Sequence, residues 1–190
     1  ARCLSGELHR NTGISAISTS RFGDEALTDI SNVDGEGKIL TRGDRRRQYG
    51  LSNRLWHTDA SFQDPPGRYS MLSAKVIPES GGETEFANTR DAYYALSSEL
   101  QERISGLSVH HSIAYSREIL GFKFSDAESE RLKGVMQPLI RVNSRTNLKS
   151  LYLAAHCASV NGMPIADGRL LIHDLIEHST QRKFVYKHVW

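Results

Sequence analysis

Asn53-Arg54-Leu55-Trp56-His57-Thr58-Asp59-Ala60-Ser61-Phe62 is the most informative stretch of the chain. In an extended segment residues i and i+2 point the same way, so His57 and Asp59 can reach one metal ion from one side. An imidazole and a carboxylate make two of the three ligands of a facial triad. Such a site keeps positions open on ferrous iron for a co-substrate and dioxygen. A His-x-Asp pair also arises by chance, so the surrounding sequence has to decide.

Downstream the chain runs through Pro65, Ser73-Ala74 and Pro78 to Ser80-Gly81-Gly82-Glu83-Thr84-Glu85-Phe86-Ala87-Asn88, then Ala92-Tyr93-Tyr94-Ala95-Leu96. The loose alternation from Tyr69 to Ile77 predicts a strand ending at Pro78, with a turn at Ser80-Gly81-Gly82. Residues 83–87 predict a second strand. A hydroxyl placed by a tight Gly-Gly turn, as Thr84 is, suits an anion beside the metal; an ordinary strand threonine is the alternative. Asp91 and Ser97 or Ser98 are candidate helix caps.

Elsewhere, residues 28–33 predict a short strand closed by Asp34-Gly35-Glu36-Gly37, and residues 41–52 a polar loop. Strands are expected over 109–115, 138–142, 150–154 and 184–190, and helices over 126–136 and 167–180. Leu170, Leu171, Leu175 and Ile176 supply the helical spacing of the last. Several short strands with helices outside them imply a mainly β, α+β architecture with a β-sandwich or jelly-roll core, not βαβ units. Residues 1–28 read as a poorly specified segment ahead of one partial domain spanning 1–190.

Composition bounds the function. The 190 residues are 38% hydrophobic and 24% charged, as in ordinary globular proteins. The 24 Lys+Arg against 22 Asp+Glu leave +2, too balanced to indicate nucleic acid. The cluster Arg42, Arg45-Arg46-Arg47 reads as a solvated loop. No apolar run approaches a membrane span and no secretory leader is visible. Cys3 and Cys157 show no metal or redox spacing, so a reduced, cytoplasmic protein is expected. No glycine-rich phosphate loop is present.

Taken together, the motifs in this order resemble the TauD/TfdA family of iron- and 2-oxoglutarate-dependent dioxygenases. Residues 51–96, with Phe62-Gln63, residues 68–73 and Glu85-Phe86, are most similar to its 2,4-dichlorophenoxyacetate branch. The similarity continues more loosely through Ser150-Leu151, Ala155-His156 and residues 168–171 to His188-Val189-Trp190. It implies a double-stranded β-helix, or jelly roll, here incomplete at both ends. His57 and Asp59 would be iron ligands, and Thr84 would bind a carboxylate of 2-oxoglutarate. Fe(II), 2-oxoglutarate and O2 would be required, with ascorbate as a stimulant.

The family supplies its third iron ligand, a second histidine, after a Gly-Asp-x-x-x-Trp-Asp-Asn-Arg segment that also precedes the arginine for the far carboxylate. Nothing in these 190 residues matches it, so the third ligand is expected outside them, and these residues alone are expected to be inactive. His173, with Glu177 four residues on, and His178 read as polar residues on a helix face. His188 precedes the absent segment, and none of the three is assigned to iron. His110 and His156 can face a pocket or be structural.

Asn53 and His111 are the candidate substrate contacts, both from resemblance. Val142-Asn143 stands where the dichlorophenoxyacetate branch commonly has Thr-His after the arginine at Arg141. The expected activity is hydroxylation of a small organic acid, first an aryloxyalkanoate with ether cleavage, then taurine or another alkylsulfonate. A non-catalytic binding module is the reading from another class, and a metal hydrolase lacks the further ligand clusters it would need. The expected partners are the small acid and further copies of the chain in a homo-oligomer, without nucleic acid or membrane.

Overall fold

The computed structural model describes residues 29–190, so the poorly specified segment 1–28 and the start of the strand predicted at 28 lie outside the described residues. The chain packs as two compact units. Of the described residues, the first combines those up to Trp56 with Ser112–Gly134, and the second combines His57–His111 with Val135–Trp190.

The first unit is helical. Helix α1 (Arg45–Gly50) occupies the expected polar loop, because Asp44 caps it by accepting from the Arg46 backbone N–H. A 3-10 turn, Leu51–Arg54, follows it. The strand predicted from residue 28 reduces to one bridge between Val33 and Ile39.

The strand predicted over 109–115 stops at His111. Ser112 accepts from Tyr115 N–H and starts α4 (Ile113–Glu118). Helix α5 (Asp126–Arg131) opens with a full capping box between Ser125 and Glu128. It ends short of Met136, because Gly134 takes φ 79° and the chain leaves the helix there. Leu40, Ile113, Phe122 and Leu132 form the apolar interior of this unit, with Tyr49 edge-on to Phe122.

The second unit carries every named strand. Strand β1 (Thr84–Ala87) pairs antiparallel with β7 (Val185–His188). Strand β2 (Ser108–His111) lies between β3 (Val135–Pro138) and β6 (Cys157–Val160), and β4 (Ile140–Val142) pairs with β5 (Lys149–Leu151). The three sheets stay separate and do not close into a barrel.

Helices α2 (Thr89–Tyr94), α3 (Ser98–Arg103) and α6 (Ile165–Ser179) cover a core that includes Tyr93, Ile104, Val109, Leu139, Leu151 and Leu175. Asn88, not Asp91, caps α2; Asp91 sits in its first turn. Ser97 caps α3.

The strand predicted from Tyr69 to Ile77 is not formed. The alternation is present, but no ladder among the described residues satisfies this backbone, and Tyr69, Met71, Leu72, Val76 and Ile77 face solvent. A strand needs a hydrogen-bonding neighbour as well as a pattern. Strand β6 was not foreseen, because Cys157-Ala158-Ser159-Val160 has no clear alternation, although Asn161-Gly162 directly after it is a turn signal.

Candidate metal centre

The ligand segment leaves the 3-10 turn with Leu55 N–H bonded to Ser52 O, then runs extended through Trp56, His57 and Thr58. Ala60 adopts φ 54°, turning the chain immediately after Asp59. A non-glycine residue in this region is strained, and such strain concentrates at functional sites.

Extended geometry places His57 and Asp59 on one side, with Nε2 of His57 3.2 Å from Oδ1 of Asp59. The other carboxylate oxygen, Oδ2, accepts from the Ser70 hydroxyl. Thr58 points the opposite way, and its hydroxyl donates to the Leu153 carbonyl at 2.7 Å. The ligand segment is thereby tied to residues 151–157. From that run the buried His156 brings its ring to 5.9 Å from that of His57, and Phe62 meets the His156 ring edge-on at 5.3 Å.

The Asp59 carboxyl lies below its ordinary pKa. The hydrogen bond from His57 is the largest cause; desolvation opposes it, and Ser70 and the charge of His156 reinforce it. Asp59 is therefore an anion at neutral pH, as a metal ligand must be.

The pair fits a divalent ion. An imidazole nitrogen and a carboxylate oxygen bind such ions at about 2.0–2.2 Å. At right angles on one metal, those bonds put the two atoms about 3 Å apart. The observed 3.2 Å matches this edge. Among the described residues no group of three or more His, Cys, Asp or Glu converges to hold a metal.

Thr84 stands at the start of β1. Gly81 and Gly82 before it take φ 76° and 79°, which a side chain would strain, and a Cβ on Gly82 would come within 3.0 Å of Pro78. The Thr84 hydroxyl oxygen accepts the indole N–H of Trp190 at 2.9 Å. His111, on β2, is fully buried. It stacks on Tyr152 at 5.2 Å and 23°, and its Nε2 lies 3.4 Å from the Cys157 thiol. Burial, reinforced by His110 and Arg141, lowers its pKa to about 4, so it is neutral at physiological pH. Arg141 covers the Tyr152 ring at 4.1 Å.

Asn53 belongs to the first unit, where its side-chain oxygen accepts from Arg117 at 3.3 Å. Of the histidines on α6, His178 bonds the Ala92 carbonyl at 2.9 Å, and His173 lies beside Asp174.

Sequence reasoning missed Thr58, Ser70 and Trp190. Alternation already implied that Thr58 faces away from the metal side, so its anchoring role had a signal. Ser70 and Trp190 act across eleven and 106 residues of sequence, and no local pattern announces either contact.

Comparison with known proteins agrees with this geometry. The family described as "Taurine catabolism dioxygenase TauD, TfdA family" matches residues 15–190. The alpha-ketoglutarate-dependent 2,4-dichlorophenoxyacetate dioxygenase of Cupriavidus pinatubonensis is 46% identical over 172 residues, covering 90% of this chain and 60% of that protein. An (S)-phenoxypropionate/alpha-ketoglutarate-dioxygenase of Sphingobium herbicidovorans is 30% identical over 182 residues, covering 90% and 63%. The crystal structure of AAD-2 in complex with Mn(II) and N-oxalylglycine superposes with a TM-score of 0.84 at 44% identity, covering 87% of this chain and 57% of that one. The chain thus spans about 60% of the length of the curated relatives it matches. Its fold class is that of these neighbours, the jelly roll, of which the three separate sheets here are parts.

Proposed function

The chain belongs to the TauD/TfdA family, and on that premise we propose that it carries the metal-binding part of an Fe(II)- and 2-oxoglutarate-dependent dioxygenase. The observation that carries the proposal is the pair of ligand atoms 3.2 Å apart, fixed by Ser70 on one side. His57 and Asp59 hold the iron, and Thr84 hydrogen-bonds a carboxylate of 2-oxoglutarate. Bound iron supplies the activation of O2 that couples decarboxylation of 2-oxoglutarate, to succinate and CO2, with hydroxylation of the substrate.

The residues of this chain orient and shield. Thr58 and His156 hold the His57 imidazole against residues 151–157, which keeps the ligand pair aimed while the co-substrate comes and goes. The substrate we propose is a small organic acid of the aryloxyalkanoate class, supported by the names of two of the relatives. Hydroxylation of the carbon beside the ether oxygen of phenoxyacetate gives a hemiacetal, which collapses to phenol and glyoxylate. Asn53 and His111 are the proposed substrate contacts. His111 would act as a neutral hydrogen-bonding group behind Tyr152. Both compact units are taken as parts of one dioxygenase domain, since the family match runs through both. No helix among the described residues is long and apolar enough to cross a membrane. A cytoplasmic homo-oligomer is the proposed form.

The test is succinate release from 2-oxoglutarate with Fe(II) by a protein that carries these residues together with the third iron ligand, comparing phenoxyacetate with taurine; residues 1–190 alone are expected to release none. Phenoxyacetate is expected to be the faster substrate, and His57→Ala and Asp59→Ala to abolish release. A preference for taurine moves the substrate to the alkylsulfonates; absence of any release, with tight binding of the acid retained, makes the protein a binding module.

A further inference from the structure

Thr84 and Trp190 sit at one end of the same two-stranded ladder. Thr84 opens β1 opposite His188, the last residue of β7. Trp190 follows two residues later, its ring edge-on to His188 at 4.5 Å and 88°. The ladder is clamped by ion pairs from Lys187 to Glu83, at 2.9 Å, and from Arg182 to Glu85. The indole Nε1 lies 2.9 Å from the Thr84 hydroxyl oxygen.

The direction of this bond follows from chemistry alone. An indole N–H can only donate, so the threonine oxygen must accept. A hydroxyl has one proton and two lone pairs. With a lone pair taken by Trp190, the hydroxyl rotor is restricted and its proton remains for another acceptor. A donor is what a carboxylate needs. A threonine whose hydroxyl instead gave its proton to a backbone carbonyl would present only lone pairs to that anion.

We infer that Trp190 is a positioning residue that fixes the Thr84 hydroxyl as a hydrogen-bond donor to the co-substrate carboxylate. This rests on the proposal that Thr84 contacts 2-oxoglutarate.

The experiment is calorimetric titration of 2-oxoglutarate into the full chain loaded with Mn(II), for wild type, Trp190→Phe, Thr84→Val, Thr84→Ser and the double variant Thr84→Val/Trp190→Phe. Trp190→Phe keeps an aromatic ring for His188 and removes the N–H donor together with the fused five-membered ring. It is expected to weaken 2-oxoglutarate by about 3- to 10-fold, the worth of one neutral hydrogen bond, with Mn(II) affinity unchanged. Thr84→Val should lose at least as much, Thr84→Ser should bind as wild type, and the double variant should be no weaker than Thr84→Val.

If Thr84→Val loses affinity while Trp190→Phe binds as wild type, the Thr84 contact stands and this inference falls. It also falls if Trp190→Phe costs as much in the Thr84→Val background as alone. If Thr84→Val binds like wild type, or wild type takes no 2-oxoglutarate, the Thr84 proposal fails and takes this one with it. A measurement on folded wild type guards against a variant that does not fold. The indole N–H resonance of Trp190, one of two tryptophans, should shift when 2-oxoglutarate is added to Mg(II)-loaded protein; an unmoved resonance at saturation overturns the inference.

Discussion

Asp59 presents Oδ1 to the His57 imidazole at 3.2 Å, while its other oxygen accepts from Ser70. The carboxylate is thus divided between a metal-facing atom and a tethered one. Neighbours that orient a ligand without touching the metal are typically worth about 10- to 100-fold in metal affinity. Ser70→Ala should therefore weaken Mn(II) binding by about 10-fold, and Ser70→Thr should retain most of it. Titration followed by the paramagnetic resonance of free Mn(II) measures both. Equal affinities in wild type and Ser70→Ala would show that the Asp59 carboxylate is oriented without the tether.

Thr58 holds the same pair from behind. Its hydroxyl bond to the Leu153 carbonyl is 2.7 Å long and half-buried, so losing it should cost about 1 kcal/mol of stability. Thr58→Val, nearly isosteric, is expected to lower both the melting temperature and Mn(II) affinity, and Thr58→Ser to restore both. Loss of stability with metal affinity intact would make Thr58 a fold residue alone.

The local part of this site was legible in the sequence, and the distant part was not. His57 and Asp59 share a side because strand-like backbone alternates, which spacing alone reveals. The final helix, with Leu171 and Leu175 buried, follows from its 3.6-residue period. The strand expected over 109–115 and the helix expected over 126–136 ran too far because Ser112 and Gly134, which lie inside them, each end one element and precede another. The strand expected over 69–77 failed for a different reason. Alternation says which side chains would share a face, but pairing depends on a partner that sequence does not specify. Asp44 had the signal of a helix cap, hidden beneath three arginines that read as loop.

The first unit should weaken in acid. Glu128 is gripped by Arg45, at 3.0 and 2.6 Å, and accepts from the Ser125 backbone N–H. These bonds lower its pKa from 4.5 to about 2, the arginine being the larger cause. A carboxylate depressed in the folded state contributes stability that is fully present above its unfolded pKa and lost as pH falls through the folded one. The window here runs from about 4.5 down to about 2. Asp44, lowered to about 2 chiefly by Arg46, shares the lower limit. Glu128→Gln is expected to flatten the acid dependence of the helical circular dichroism across this window. Salt at about 1 M, where the screening length is about 3 Å, should shrink the difference between wild type and variant.

Gly168 sets two opposed effects against each other. It lies in the first turns of α6, where alanine is favoured over glycine by about 1 kcal/mol. A Cβ there would meet the Val160 backbone nitrogen at 3.2 Å, and its Cβ and Cγ2 at 3.3 Å. Overpacking of this kind costs about 1–3 kcal/mol when the neighbour cannot retreat. Val160 cannot easily retreat, because it is buried on β6, opposite the fully buried Val109. The steric cost should therefore exceed the helical gain. Gly168→Ala is expected to lower the melting temperature by about 2–4 °C, the shift that about 1 kcal/mol produces in a chain of this size. Val160→Ala removes the methyl contact but leaves the backbone nitrogen in place. The double variant should thus recover part of the Gly168→Ala loss relative to the sum of the two single variants. A Gly168→Ala protein that melts higher than wild type would mean that α6 can lift from β6 at little cost.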